Sequence, residues 1–559
     1  MRIFFAALAL VCLLTLCACG DVVPAETSVP ETLAPDTSIP ETVAPETKTV
    51  ETKTVETNAP ETEAPETDPP ETEAPALHVV EIENIEFISP LTGKVYEECE
   101  FSVEDSVIRF GYPLTTAKED VESAIIRFTV DGQITEKTYD LREYHLVRLT
   151  NSEGVSVTYN FVPYKLSYGL PVMEIFTDDE APIESKTEYV HAVMYIDGEE
   201  YPTKIRGRGN ASWSQFPKKS YRIKLDSGAA LFGLDKNRDW VLTSNYADKS
   251  LIRNQVAHDI AAALDGLDFT STHISVNLFL NGEYLGVYTF ADKIEEGKDR
   301  LDFSPREGDE PSAFGGMDIG FICEVGWDFD SENIYNRDYF DAQKVVRIYV
   351  KEPEIEVPNT PEFTYVKSYI LAMEQAIISG EGWLDYIDLD SWVDWFIATE
   401  LTFNMESAFY RSCYMWKREG GKLMLGPVWD FDMALGNHYG DIPGYDGWCT
   451  TECEYEYLME NWMNYLITYD EFNDAVKVRW NDVKDELIDV ALTSIDRHSE
   501  ELEGSQQQNF KRWNIMPYQI GAGAVNPGVY NTYEKQVQYL RDFINQRWAY
   551  MDERINREF

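Results

Sequence analysis

Beyond its leading segment the chain has no apolar run near the roughly 20 residues that a membrane-spanning helix needs, so no later part of it is expected to cross a bilayer. Cations are scarce: 47 Lys and Arg stand against 99 Asp and Glu, a formal charge of −52, which makes nucleic acid a poor partner. The seven histidines are scattered and form no His-Glu-x-x-His, which removes the usual helical zinc-hydrolase pattern. Cysteine is also sparse. Of eight, Cys12 and Cys17 fall in the leading segment and Cys19 directly follows it, leaving Cys99, Cys323, Cys413, Cys449 and Cys453. An odd number at irregular spacing is not a disulfide framework. Cys449 and Cys453 can pair or share a helical face, but without nearby His or Cys they make a poor metal site. Standard nucleotide signatures are missing as well. There is no Gly-x-x-x-x-Gly-Lys-Ser/Thr and no His-Arg-Asp, and Asp430-Phe431 is followed by Asp432 rather than glycine.

What is present begins with residues 1–18: one Arg2, then an apolar stretch from Ile3, in the manner of a secretory signal peptide. Leu16-Cys17-Ala18-Cys19 supplies the apolar, small and cysteine positions of a lipobox. Cys19 is therefore expected to carry lipid and anchor the mature chain at the extracytoplasmic face of the cell membrane; a plain secreted protein is the alternative. Residues 19–76 repeat Pro-Glu-Thr, have no aromatic residue, and set fourteen acidic residues against Lys48 and Lys53. Such a segment buries too little apolar surface to offset its chain entropy, so a disordered, extended stalk is expected.

Two folded parts should follow. In residues 77–165, apolar Ile126, Phe128 and Val130 alternate with Arg127 and Thr129, and Val155, Val157 and Tyr159 alternate likewise. With Asp131-Gly132 as a two-residue turn, this reads as a small β-sandwich module of immunoglobulin-like type. From residue 167 to 559 a second domain runs strand-rich to about Val325, including a hairpin at Asn281-Gly282. Helical periodicity then takes over at 363–378, 392–401, 470–502 and 533–559. Strands followed by helices indicate an α+β fold.

Two constellations carry possible chemistry. Lys204, Arg206, Arg208, Lys218, Lys219, Arg222 and Lys224 crowd a window without one acidic residue, beside Gly207 and Gly209. Glycines let backbone N–H groups approach an anion, and flanking cations favour phosphate. If 220–225 is a strand, Lys218, Arg222 and Lys224 share one face while Tyr221, Ile223 and Leu225 face the core. A solvated strand face balancing an acidic body is the bland alternative. Further on, Trp429-Asp430-Phe431-Asp432 places two carboxylates in an apolar stretch, where a cation such as magnesium would compensate them. Trp327-Asp328-Phe329-Asp330 repeats the tetrapeptide, so those four letters prove little alone. Together the two constellations provide the parts for phosphoryl transfer from a magnesium nucleotide.

Five ordered blocks, KIRGRGNASW (204–213), FPKKSYRIKL (216–225), DWVLTSNYADKSLIRN (239–254), LNGEYLGVY (280–288) and GPVWDFD (426–432), resemble the CotH kinase family. The resemblance implies a diverged protein-kinase-like fold that uses ATP and Mg2+ or Mn2+ to phosphorylate Ser or Thr on coat-type proteins. It implies nucleotide-phosphate contacts at Arg208, Lys218 and Lys219, and metal binding at Asp430 with Asp432 a possible second ligand. The family's catalytic aspartate falls in an Asn-x-Asp segment; here Asn404-Met405-Glu406 places Glu406 there, one methylene longer, with Ser407 the alternative. Asn245, Asp248, Arg253 and Asn254 read as a structural network at a helix start; Asp292 and Glu295 fall near the implied cleft without an assigned role. Two rivals remain: a catalytically silent kinase-like surface module that binds a protein or polysaccharide, which the longer Glu406 favours, and a glycoside hydrolase built on paired carboxylates, which the acid-free basic window disfavours.

Overall fold

The computed structural model describes residues 80–310, 316–326, 339–345, 347–355, 357, 359–438, 445–452, 460–520, 525 and 527–559. The expected signal peptide, Cys19, the stalk, the second Trp-Asp-Phe-Asp and Cys453 lie outside the described residues. Among the described residues no helix is long and apolar enough to cross a membrane. The fold is mixed α+β, strand-rich first and helical later.

The opening strands are β1 (Ile82–Ile88), β2 (Glu100–Glu104), β3 (Val107–Tyr112), β4 (Ala124–Val130), β5 (Gln133–Tyr139), β6 (His145–Thr150) and β7 (Ser156–Lys165), with α1 (Lys118–Glu122) between β3 and β4. They make two sheets, β1-β4-β5 and β2-β3-β7-β6. Along β4, Ile126, Phe128 and Val130 are buried and Arg127 and Thr129 are not, the two-residue period of a half-buried strand. Phe87, Phe110, Phe128 and Phe161 fill the space between the sheets. Asp131 (φ 47°) and Gly132 (φ 69°) are both left-handed, as a tight hairpin requires.

Next, β8 (Val172–Thr177), β9 (Val190–Ile196), β10 (Glu199–Arg208), β11 (Ser220–Ala229), β12 (Asn237–Thr243), β13 (His273–Leu280) and β14 (Glu283–Asp292) close a barrel in the order β10-β11-β12-β14-β13-β8-β9. Short α2 (Ala211–Ser214) links β10 to β11, and α3 (Arg253–Ala262) follows β12. Asn281 (φ 50°) and Gly282 (φ 80°) form the expected β13–β14 turn. Ile205, Ile223, Trp240, Tyr288 and Phe290 fill the interior. Outward-pointing neighbours are thereby fixed on the opposite face.

A third sheet, β16 (Tyr339–Phe340), β17 (Ile348–Glu352), β15 (Phe321–Val325), β18 (Cys413–Lys417) and β19 (Met424–Leu425), leads into α4 (Pro361–Ser379), α5 (Leu389–Thr402), α6 (Trp462–Leu466), α7 (Asp470–Glu501), α8 (Glu503–Arg512) and α9 (Tyr533–Glu558). Local chemistry sets the ends of α4: Thr360 Oγ1 accepts the Phe363 N–H at 3.1 Å, and Gly380 closes it with φ 76°. Trp392, Trp395, Trp462 and Trp480 anchor the largest core, each buried to within 1% exposure. At about 1.5–3 kcal/mol for each large apolar side chain buried, this core outweighs helix propensity in holding the bundle. The helix α8 joins three parts. Gln508 donates to Glu98 at 2.8 Å in the first module, and Asn509 Oδ1 accepts the Val287 N–H at 3.1 Å in the barrel.

Candidate active site

The basic window is a cross-strand ladder. Lys204 pairs with Lys224 and Arg206 with Arg222 in the β10–β11 register, while Ile205 and Ile223 point inward. Like charges placed opposite each other destabilise a sheet unless something compensates. Asp239 on β12 does so in part, accepting from Arg222 at 2.6 Å and standing 3.5 Å from Lys224. Arg208, at the end of β10, lies with its guanidinium 5.5 Å from the Trp429 ring centre. Both glycines are structural. A Cβ on Gly207 would come within 2.3 Å of the Trp213 indole, and the Gly207 N–H is used by the Ser185 carbonyl at 2.8 Å. Gly209 has φ 85°.

Lys218 and Lys219 stand elsewhere than the resemblance implied. Lys218 lies before the first residue of β11, so the strand's alternation does not reach it. Its side chain is buried, and Nζ donates to the Val287 carbonyl at 2.5 Å and to Asn509 Oδ1 at 3.0 Å. No carboxylate faces it, and burial drives its amine well below the ordinary lysine value. Lys219 donates to the Trp213 carbonyl. Neither lysine lines the cavity described next.

A cavity of about 450 Å³ opens between the barrel and the loops that follow α5. On one side it is lined by Arg206, Arg208, Arg222 and Lys293, and on the other by Glu324, Glu406, Arg411, Asp430 and Asp432. The acidic side is held by side-chain bonds to backbone. Asn404 Nδ2 donates to the Asp430 carbonyl at 3.2 Å, and Ser407 Oγ to the Trp429 carbonyl at 3.0 Å. Ser407 is thus committed beneath the loop, and Glu406 is the residue that lines the cavity. Asn254 Oδ1 accepts the Phe431 N–H at 2.8 Å, while Asn254 Nδ2 donates to Asn245 at 3.1 Å. Arg253 is fully buried, paired with Asp248, and its Nε donates to the Ala434 carbonyl at 3.2 Å. The network foreseen at the helix start therefore also moors the Asp430 loop to α3. Asp292 and Glu295 both pair with Arg300, and Glu295 also takes Lys293 at 2.6 Å.

Comparison with known families decides the assignment. A model described as CotH kinase protein matches residues 205–551, a span holding both sides of the cavity. The chain belongs to the CotH kinase family. No curated protein matches it. The family match begins within β10 and leaves the first two-sheet module outside.

Within this CotH domain the carboxylates are poised for positive charge. Burial raises the Asp430 carboxyl, opposed by Arg208, and Ser412 Oγ lies 3.3 Å from its Oδ2. Burial, reinforced by the charges of Asp430, Glu406 and Asp248, pushes Asp432 well above the carboxylate range. Asp432 is surrounded by acids, and a divalent cation relieves that repulsion. Among the described residues no three His, Cys, Asp or Glu are arranged to hold a metal by themselves. Magnesium commonly takes one or two carboxylates and completes its shell with phosphate and water, a demand that Asp430 and Asp432 together can meet. Lys293 and Arg411 were not foreseen. Lys293 directly follows β14, between Asp292 and Glu295, which the sequence had placed near the cleft, and Arg411 is a lone loop cation with no pattern around it.

Proposed function

We propose that this chain is a protein kinase that transfers phosphate from ATP, with Mg2+ or Mn2+, to Ser or Thr of surface or coat-type proteins. We further propose that it has a diverged protein-kinase-like fold and is lipid-anchored through Cys19 at the extracytoplasmic face of the membrane. The observation that carries the reading is the opposition, across one cavity inside the CotH match, of Arg208, Arg222 and Lys293 to Asp430, Asp432 and Glu406.

Phosphoryl transfer needs positioning and charge neutralisation more than covalent chemistry. Arg208, Arg222 and Lys293 attract the phosphate chain. Phe216 and Tyr246, in contact at 5.3 Å and both lining the cavity, offer an aromatic surface to the base. Asp430 and Asp432 would hold a divalent metal, which would supply charge balance on the transferring group. Glu406 orients the acceptor hydroxyl and takes its proton. Incubation of the purified protein with labelled ATP, metal and acceptor proteins should label Ser or Thr, and Asp430→Asn should not. A second reading, a silent binding module, is favoured by Glu406 being longer than the aspartate expected there. ATP binding without transfer, in wild type and in Glu406→Asp, would establish it.

A further inference from the structure

Several cations that line the candidate active-site cavity are already paired with carboxylates. Arg222 takes Asp239 at 2.6 Å, Lys293 takes Glu295 at 2.6 Å and Lys351 takes Glu324 at 3.0 Å. Arg208 and Arg411 make no ion pair among the described residues. Arg208 lies against the Trp429 ring, and Arg411 against Tyr410, 4.8 Å from the ring centre, with Nη2 donating to Tyr410 Oη at 3.2 Å. Both arginines are partly exposed and line the cavity, so a ligand there can reach them. They stand on opposite sides and act on one group: burial raises the Asp430 carboxyl, and the charges of Arg208 and Arg411 oppose the rise. Attraction of the phosphate chain uses Arg208 and leaves Arg411 without a task.

Arg411 is also held in place. Its backbone N–H donates to the Glu406 carbonyl at 2.7 Å, which fixes it to the residue read as the base. Phe409 and Ser412, which flank it, take φ of 58° and 51°. Non-glycine backbone in that region is strained and gathers where the surroundings must aim a side chain. Glu406, Asp430 and Asp432 line the same side of the cavity, yet none of their carboxylates pairs with Arg411 among the described residues. A guanidinium kept beside acids without such a pair is reserved for an anion that arrives with the substrate. Its planar fork matches the oxygens of a phosphoryl group, and its charge is permanent.

We propose that Arg411 is a catalytic residue whose guanidinium contacts the non-bridging oxygens of the phosphoryl group in transfer, from the loop side and opposite Arg208. The inference rests on the kinase reading and gives a role to a group which that reading left unused. As the acceptor oxygen bonds to the γ-phosphorus, the bond from that phosphorus to the β,γ-bridging oxygen breaks. The bridging oxygen keeps the electron pair and departs on ADP, and the acceptor proton passes to Glu406. Arg411 stays protonated throughout. Charge is spread over the three equatorial oxygens in that step, and a contact made chiefly then lowers the barrier without tightening the hold on bound ATP. Arg208 serves the bound nucleotide and Arg411 the group in flight.

The test needs no knowledge of the acceptor. The full chain is titrated in Mg2+ with two probes: the non-hydrolysable β,γ-imido analogue of ATP, and ADP with aluminium fluoride, which stands in for the phosphoryl group in flight. Wild type should bind the second more tightly. Arg411→Ala and Arg411→Gln should weaken the second by about a hundredfold and leave the first unchanged, which also shows that the site is still folded. Arg411→Lys should recover only part of the loss, since an ammonium keeps the charge without the fork. Equal weakening of both probes would make Arg411 an ordinary nucleotide contact or a scaffold residue, and no weakening of either would remove it from the site. Both results overturn this inference and leave the kinase reading standing. A wild type that binds the ATP analogue but gains nothing from aluminium fluoride overturns it in favour of the silent module, and one that binds neither probe overturns it together with the kinase reading.

Discussion

The two sides of the candidate active-site cavity are built by different means. The barrel side is regular: cations at alternate positions of β10 and β11 point outward because Ile205, Tyr221, Ile223 and Leu225 point in. The loop side is irregular, with Phe403, Phe409, Ser412, Asp430 and Leu435 all at positive φ. Backbone in that region costs of order 1 kcal/mol or more for each non-glycine residue and persists only where surroundings over-determine it. Here those surroundings are Asn404, Ser407, Asn254 and the Arg253–Asp248 pair. A strand supplies a diffuse positive surface cheaply, whereas closely spaced buried carboxylates need a scaffold. Substitutions on the barrel side should therefore tune affinity, and those on the loop side should switch function or stability off.

Asp430→Asn is the strongest test of that contrast: metal-dependent phosphate transfer should fall by about a hundredfold or more with the fold retained, and comparable activity in the variant would dissolve the distinction. Asp248→Ala should come next, leaving Arg253 buried without its partner at a cost of about 3–5 kcal/mol, read by denaturant unfolding. On the barrel side, Arg208→Ala should weaken ATP about tenfold, the loss of one charge-assisted contact of about 1.5–3 kcal/mol, whereas Lys218→Met should leave ATP affinity unchanged. An equal drop in both would return Lys218 to the site. Lys218 also predicts a pH signature. Its amine is depressed in the folded state, so the unfolded chain binds the extra proton and stability rises with pH up to the ordinary lysine value of about 10.4. Lys218→Met should flatten that rise in a series of denaturant midpoints. Smallest of all, Glu406→Asp should leave transfer equal or modestly higher; a large drop would show that this site is built around the longer side chain.

Much of the architecture was legible because its signals are periodic. The helices expected at 363–378, 392–401, 470–502 and 533–559 correspond to α4, α5, α7 and α9, and both Asp-Gly and Asn-Gly turns formed. Strands β16, β17, β18 and β19 lay beyond the point where strands were expected to end; they are short, and α4 and α5 intervene between β17 and β18. The family resemblance pointed to Arg208, Glu406, Asp430 and Asp432, all of which line one cavity. Lys218 and Lys219, to which the resemblance also pointed, do not line it, and the alternation that favoured Lys218 over Lys219 does not apply because β11 begins only at Ser220. Arg222, seen only as part of a charged face, proved to line the cavity.

The position of α8 bears on how the chain is made. Synthesis from the N-terminus completes all seven barrel strands by Asp292. The group that accepts both the Val287 N–H and the Lys218 amine is Asn509, 222 residues after Val287. Until α8 arrives, the barrel holds a lysine and a strand amide whose shared acceptor has not yet been translated. A product truncated before residue 503 would leave the Val287 amide without its acceptor, Lys218 with the Val287 carbonyl alone, and Glu98 without its link to Gln508. The earliest-synthesised part of this domain is thus among the last to reach its final state, and an expression fragment that stops at the end of the barrel should be recovered poorly.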